Sequence, residues 1–361
     1  RGDLLSHVIN YSGARVLIGH RDLLPRLAEA DLADIEQVVC IGTPPDISLP
    51  VPIHAAEILD ADPDTLEPVP DVMPWDTAAI IYTSGTTGPS KGVQCSYFHF
   101  YNVGTLAVGF TQPTERCFIN MPLFHIGAAG GTYGILASHA SIGVVDGFST
   151  TKFWDQIRTM NCATLCGMVG SVAAFLSKRE PSPQDKDNPL RRVLVAPVND
   201  LVIALAERHD FEYFTGFGMS EAPMPLISEI NPTLQGGYCG KARDGIECRI
   251  VDDNDIELPA GTVGELIIRS DHPWSMNHGY VKMPDATARA WRNGWFHTGD
   301  AFFCDEQGRY FFVDRMKDAI RRRGENISSL EVEISVLEHP QILDAAAIPV
   351  PAEHEEDEVM I

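Results

Sequence analysis

The sequence predicts an α/β chain: a doubly wound, largely parallel sheet with helices, then a small antiparallel β unit, then an α+β segment beginning after Arg315. Three observations carry this. Between about residues 76 and 216, short apolar runs alternate with segments of helical periodicity, and parallel strands need such crossovers. From Gly236 to Asp314 the runs are parted instead by tight Asp/Gly/Pro turns, as antiparallel strands are. Finally, 361 residues exceed one ordinary core, so more than one folding unit is expected.

Taken in order, residues 4–9 read as the end of a helix and Ala14–Ile18 as a strand. The runs expected in the parallel sheet are Ala78–Tyr82, Cys117–Met121, Ser141–Val145, Ala163–Cys166, Arg192–Val195 and Glu212–Phe214. Helices are expected over Thr151–Met160 and Val198–His209. Cys117 to Val145 holds no Asp, Glu, Lys or Arg, but Pro122 and several glycines break it into strand, loop, helix and strand. It reads as core rather than as a membrane span. Glu247–Val251, Gly264–Arg269 and Tyr310–Val313 are the antiparallel candidates. Ser328–Glu331 reads as a capping box opening a helix to about Glu338, and Ala345–Val350 as a strand. Both ends are abrupt, as if cut from something larger, and no charged-then-apolar leader opens the chain.

Composition narrows the function classes. Fifty acidic against 27 basic residues give a net charge of −23, which repels nucleic acid and anionic membrane surfaces. The eight cysteines include no close C-x-x-C pair, so reduced thiols in a cytoplasmic protein are expected rather than disulfides or a zinc site.

The most informative segment is Ile81-Tyr82-Thr83-Ser84-Gly85-Thr86-Thr87-Gly88-Pro89-Ser90-Lys91-Gly92. Its glycines let backbone N–H groups turn towards an anion, its hydroxyls can donate to phosphate oxygens, and Lys91 adds a positive charge. That is the chemistry of a polyphosphate cradle. It is not a P-loop: Ser90 stands where the second Gly belongs, and Gly92 follows Lys91 where a magnesium-binding hydroxyl is needed. A bland reading, a flexible polar turn, competes with it.

With these residues the chain resembles the adenylate-forming superfamily of acyl-CoA synthetases, aryl-CoA ligases, luciferases and peptide-synthetase adenylation domains. Further segments follow in that family's order: Pro122-Leu123-Phe124-His125, Ala196-Pro197, Thr215-Gly216-Phe217-Gly218-Met219-Ser220-Glu221, Gly294-Trp295-Phe296-His297-Thr298-Gly299-Asp300, and Asp314 to Lys317 through Gly324. The resemblance implies a large domain over 1–235 with a β-rich subdomain over 236–314. It further implies that 315–361 are a hinge and the truncated start of a small C-terminal lid domain.

It also implies ATP, Mg²⁺ and coenzyme A as cofactors and a small carboxylic acid as partner. Thr83, Ser84, Gly85, Thr86, Thr87, Gly88 and Lys91 would hold the β/γ-phosphates, and Ser220 the α-phosphate. Glu221 would be the metal ligand. Ala196, Pro197, Phe217, Gly218 and Met219 would surround adenine, with Phe217 in place of the usual Tyr. Asp300 and Arg315 would take the ribose, Lys317 would be the pivot, and Gly324 would border the thiol channel. His125, whose bland alternative is a satisfied core histidine, is expected near the substrate carboxylate; it, Lys91, Ser220 and Glu221 form the implied catalytic set. The family's C-terminal lysine has no counterpart before Ile361, so this stretch is expected to adenylate poorly. The segments 278–300 and 322–333 look closest to the carnitine/crotonobetaine and medium-chain acyl-CoA ligase branch. A carrier-protein-loading adenylation domain and a catalytically impaired ATP- or AMP-binding homologue are the alternatives. Homodimerisation is left open.

Overall fold

The computed structural model describes residues 2–60, 62–65, 71–83, 90–233 and 236–316, then 320–322, 325–327, 332–333, 336–337, 339, 341–342, 345–351 and 357–361. Its internal contacts divide the chain into two compact units: Arg1–His99 with Asn277–Thr287, and Phe100–Met276 with Ala288–Ile361.

In the first unit, helix α1 (Asp3–Ser12) stops at Gly13, whose φ of 67° suits a residue without a Cβ. Strands β1 (Val16–His20), β2 (Gln37–Ile41) and β3 (Ile53–Ala55) form a parallel sheet in that order. Ile9, Leu24, Leu27, Ile35, Val38 and Cys40 are buried together. Next come β4 (Thr77–Tyr82) and β5 (Gly92–Ser96), which pair with each other, antiparallel, in a two-stranded sheet. The run at 78–82 therefore does not join the parallel sheet as expected. Its return strand follows too soon for a crossover helix, and a short link permits only antiparallel pairing. Residues 278–281 run along β5: Gln94 N–H donates to Gly279 O (2.9 Å), and Val281 N–H to Gly92 O (2.9 Å).

Helix α2 (Tyr97–Phe110) leads into the second unit. Five parallel strands follow: β6 (Arg116–Ile119), β7 (Ser141–Val144), β8 (Thr164–Val169), β9 (Arg192–Ala196) and β10 (Glu212–Phe214), in spatial order β10-β9-β8-β6-β7. Alternation along β6 decides which layer each residue meets. Phe118 packs into one core with Phe153, Trp154 and Ile157 of α4 (Phe153–Met160), Leu176 of α5 (Gly170–Ser177), and Val202 and Leu205 of α6 (Asp200–His209). Its neighbours Cys117 and Ile119 point the other way, joining Phe110 of α2 and Ala128 and Ile135 of α3 (Ile126–Ala137). Helices on both faces make the sheet doubly wound, as the sequence predicts.

Local chemistry sets these helix ends. The Asn199 side chain caps α6 by accepting from Val202 N–H (3.0 Å), and Asn161 ends α4 in the left-handed region. Helices α2 and α3 touch at their glycines: a Cβ on Gly134 would lie 2.2 Å from Gly104 Cα. Cys117–Val145 is strand, loop, helix and strand, with Cys117, Phe118, Ile119, Ala128 and Ile135 buried but Leu123, Phe124, Leu136 and Val144 exposed, and no helix among the described residues is long and apolar enough to cross a membrane. All eight cysteines are free thiols.

The antiparallel region contains β11 (Gly216–Phe217), β12 (Leu226–Ile227), β13 (Tyr238–Ala242), β14 (Ile246–Val251), β15 (Gly264–Ser270), β16 (Trp291–Arg292), β17 (Trp295–Cys304) and β18 (Tyr310–Arg315). The path runs β11-β12-β13-β18-β17-β15-β14, with β16 on β17. Leu226, Leu266, Ile268, Phe296 and Phe302 are buried within it. Strand β17 escapes sequence reading because Thr298-Gly299 interrupts its alternation. Beyond it, β19 (Ile320–Arg322) pairs with β20 (Glu325–Ile327), and β21 (Ile348–Pro351) with β22 (Asp357–Met360). The strand read from Ala345 thus starts at Ile348, and the capping box at 328–331 lies outside the described residues.

Candidate active site

The parallel sheet itself marks a place for a ligand. From β6 the chain steps to β7 at one edge, then crosses to β8 on the other side of β6. That reversal opens a crevice outside the carboxyl ends of β6 and β8, where open α/β sheets bind ligands. Three of the segments singled out in the sequence leave from carboxyl ends of this sheet. Residues 120–125 follow β6, Ala196 ends β9 with a cis peptide to Pro197, and Thr215 follows β10. Residues 167–172 are the end of β8 and the start of α5. Gly167 has φ +105°, and a Cβ there would come 2.4 Å from Met121 Sδ.

His125 is the N-cap of α3: its Nδ1 accepts from Gly127 N–H at 3.1 Å. That acceptor role puts the ring proton on Nε2. The residue is exposed, yet enough water is displaced from its ring to lower its pKa, favouring the neutral form. This cap gives His125 a structural job beside any chemical one.

The segment after β10 is tightly built. Met219 and Ala222 exchange backbone hydrogen bonds (both 3.2 Å), and a Cβ on Gly218 would meet Met224 Sδ at 2.8 Å. Phe217 presents its ring to Phe302 of β17, centroids 4.9 Å apart at 74°. Arg243 braces the loop: its Nε donates to Met224 O (2.9 Å), and its Nη2 to Pro223 O (3.1 Å) and Asn102 Oδ1 (3.0 Å). Sequence reasoning missed Arg243, because nothing local shows that its bonds reach back to residues 102 and 223.

Glu221 is 5% and Asp300 9% exposed. Burial pushes the Asp300 carboxyl up to about 7; Arg315 pulls it down, while Glu221, Glu265 and Asp314 push it up further. Asp300 and Arg315 face each other across the β17–β18 ladder. The second unit therefore brings Phe217, Glu221, Asp300 and Arg315 into one neighbourhood. A buried carboxylate beside another is offset by hydrogen-bond donors, by a cation or by taking up a proton. Among the described residues no group of three or more His, Cys, Asp or Glu could hold a metal. One buried carboxylate such as Glu221 is compatible with Mg²⁺ held mostly by phosphate oxygens and water.

In the first unit, β4 and β5 close the phosphate-type loop. Tyr82 pairs with Gly92, and Thr83 N–H donates to Lys91 O at 3.0 Å. The Lys91 ammonium lies 4.8 Å above the Tyr280 ring. Ser84, Gly85, Thr86, Thr87 and Gly88, like Lys317 and Gly324, lie outside the described residues or their described side chains.

A family profile described as AMP-binding enzyme matches residues 1–281. The chain belongs to the AMP-binding enzyme family. It is 31% identical over 310 residues to a crotonobetaine/carnitine–CoA ligase of Salmonella arizonae, covering 82% of this chain and 58% of that protein. A crotonobetaine/carnitine–CoA ligase of Escherichia coli is 28% identical over 357 residues, 94% of this chain and 68% of that one. The chain thus spans about three-fifths to two-thirds of these relatives, at 58% and 68% of their lengths. The AMP-binding fold recurs in an anthranilate CoA ligase in complex with anthranoyl-AMP, with TM-score 0.81 and 23% identity over 96% of this chain and 68% of that one. It recurs too in the Bacillus subtilis O-succinylbenzoate coenzyme A synthetase with ATP and magnesium, with TM-score 0.77 and 22% identity over 93% of this chain and 70% of that one.

Proposed function

We propose that this AMP-binding enzyme is an ATP-dependent, AMP-forming carboxylate–CoA ligase, cytoplasmic, with an acid of the carnitine/crotonobetaine or medium-chain type. The observation that carries the reading is the gathering of buried Glu221 and Asp300 with Arg315 in the second unit. The crotonobetaine/carnitine–CoA ligases among its relatives support the choice of reaction.

A carboxylic acid is ionised at neutral pH, so its oxygen can attack the α-phosphorus of ATP without a base. The step needs alignment and charge neutralisation. The oxygen–phosphorus bond forms and pyrophosphate leaves; the thiolate of CoA then bonds to the acyl carbon, and AMP departs with the electron pair. Asp300 accepts from the ribose hydroxyls with Arg315 beside it. Phe217 supplies a ring face to adenine, with Ala196, Pro197, Gly218 and Met219 around the base. Ser220 donates to the α-phosphate, and Thr83, Ser84, Thr86, Thr87 and Lys91 neutralise the β/γ-phosphates with the Gly85 and Gly88 amides. Glu221 would hold Mg²⁺, which when bound offsets phosphate charge. His125, neutral and donating from Nε2, serves the substrate carboxylate, while Lys317 and Gly324 serve the hinge and the thiol path.

The test is a panel of carboxylic acids given to the full-length protein with ATP and Mg²⁺. AMP and pyrophosphate should appear only with a cognate acid, and a thioester only when CoA is added. ADP as product, or acyl transfer only to a phosphopantetheinyl carrier protein, would refute the reading.

A further inference from the structure

Glu265 lies in the apolar strand β15, 15% exposed at its side chain, and every oxygen it carries is used. Its Oε1 accepts from the Gly299 amide at 2.9 Å, and its Oε2 from His297 Nδ1 at 2.8 Å. Arg292 Nη2 is a third donor to the carboxylate, reaching Oε2 at 3.1 Å, and it also reaches Asp255 Oδ1 at 3.3 Å. A carboxylate only accepts, so this pairing puts the His297 proton on Nδ1.

These bonds converge on an irregular point of the sheet. The β15–β17 register shifts between Glu265 and Ile267: Ile267 faces His297, whereas Glu265 faces Ala301. Three residues of β17, Thr298, Gly299 and Asp300, thus stand opposite Leu266 alone, and Gly299 takes φ +73°. Thr298 Oγ1 donates to Leu266 O (2.7 Å) and accepts from Asp300 N–H (3.1 Å). A bulge leaves amides without ladder partners, and here the Glu265 side chain supplies the acceptor that the strand cannot.

We propose that Glu265 is a positioning residue for nucleotide binding: by gripping Gly299 and His297 together it holds the bulge that presents Asp300 to the ribose. The proposal rests on the reading of Asp300 as the ribose acceptor. Without the Glu265 carboxylate, the Gly299 amide loses its acceptor and buried His297 its Nδ1 partner, and Asp300 follows from the freed bulge.

Calorimetric titration with AMP and with 2′,3′-dideoxy-AMP separates ribose recognition from general damage. Glu265→Ala is expected to weaken AMP about tenfold while leaving the dideoxynucleotide within about twofold. Glu265→Gln, which keeps an oxygen for Gly299, should retain most of the wild-type preference. In an Asp300→Asn background, Glu265→Ala should cost AMP affinity little further. Equal loss for both nucleotides, or loss for neither, overturns the proposal while the ribose reading stands. A wild-type chain that binds the two nucleotides alike overturns the ribose reading and the proposal with it. Should Glu265→Ala fail to fold, Glu265→Asp, one methylene short of Gly299, is read against the same pair with the same criteria.

Discussion

At the scale of single residues, Asp300 is the most informative group because its charge is in balance. Burial pushes it up to about 7, so it is partly protonated at neutral pH. The folded chain then keeps a proton that the unfolded chain loses near the ordinary carboxylate pKa, and this residue's contribution to stability falls as pH rises from about 4 to 7. Ribose hydroxyls need an acceptor, so adenosine affinity should rise as pH passes through about 7, with the rise lost in Asp300→Asn. Adenosine suits this titration because it carries no phosphate of its own to ionise there. Glu221 is one of the charges that keep Asp300 protonated. Glu221→Gln should therefore move the midpoint of the adenosine titration to lower pH; an unmoved midpoint would mean that the two carboxyls are not coupled. Asp300 was legible in the sequence as a candidate ribose acceptor by resemblance, but the value of its pKa was not. That value depends on residues 221, 265, 314 and 315, which only the sheet gathers.

At the scale of elements, the contact between α2 and α3 is set by glycine. A Cβ on Gly134 would sit 2.2 Å from Gly104 Cα, and backbone cannot swing aside as a side chain can. Gly134→Ala should cost about 1–3 kcal/mol of stability, read as a lower melting temperature. Gly147, with nothing within 4 Å of its notional Cβ, is the control, and Gly147→Ala should leave melting nearly unchanged. Loss of the α6 cap in Asn199→Ala should cost about 1 kcal/mol by urea titration. Elements with strong periodicity or strong end signals, such as β10, α4 and α6, could be read from sequence to within a few residues. The β4 run could not, because its own residues suit either pairing and the decision lies in the length of the link to β5. Strand β17 was hidden by a bulge that a side chain on another strand stabilises.

For the molecule as a whole, the excess of acidic residues is the dominant electrostatic fact. A net charge of −23 on 361 residues makes the compact state repel itself, and salt screens that repulsion. Melting temperature should rise between roughly 20 mM and 300 mM sodium chloride, and a fall would show that ion pairs such as Arg208–Asp185 outweigh the repulsion. The amino-acid order alone determined the fold class, the ordered set of nucleotide-type segments and the family they resemble, because periodicity, glycine placement and hydroxyl-rich loops are local properties of the chain. Tertiary structure alone decided that Glu221 and Asp300 share a buried neighbourhood, that Arg243 braces the loop between them in sequence, and that Glu265 anchors the bulge before Asp300. The physical reason is that hydrogen bonds and charge coupling act over a few ångströms of space, and sheet register brings within that reach residues whose separation along the chain carries no signal.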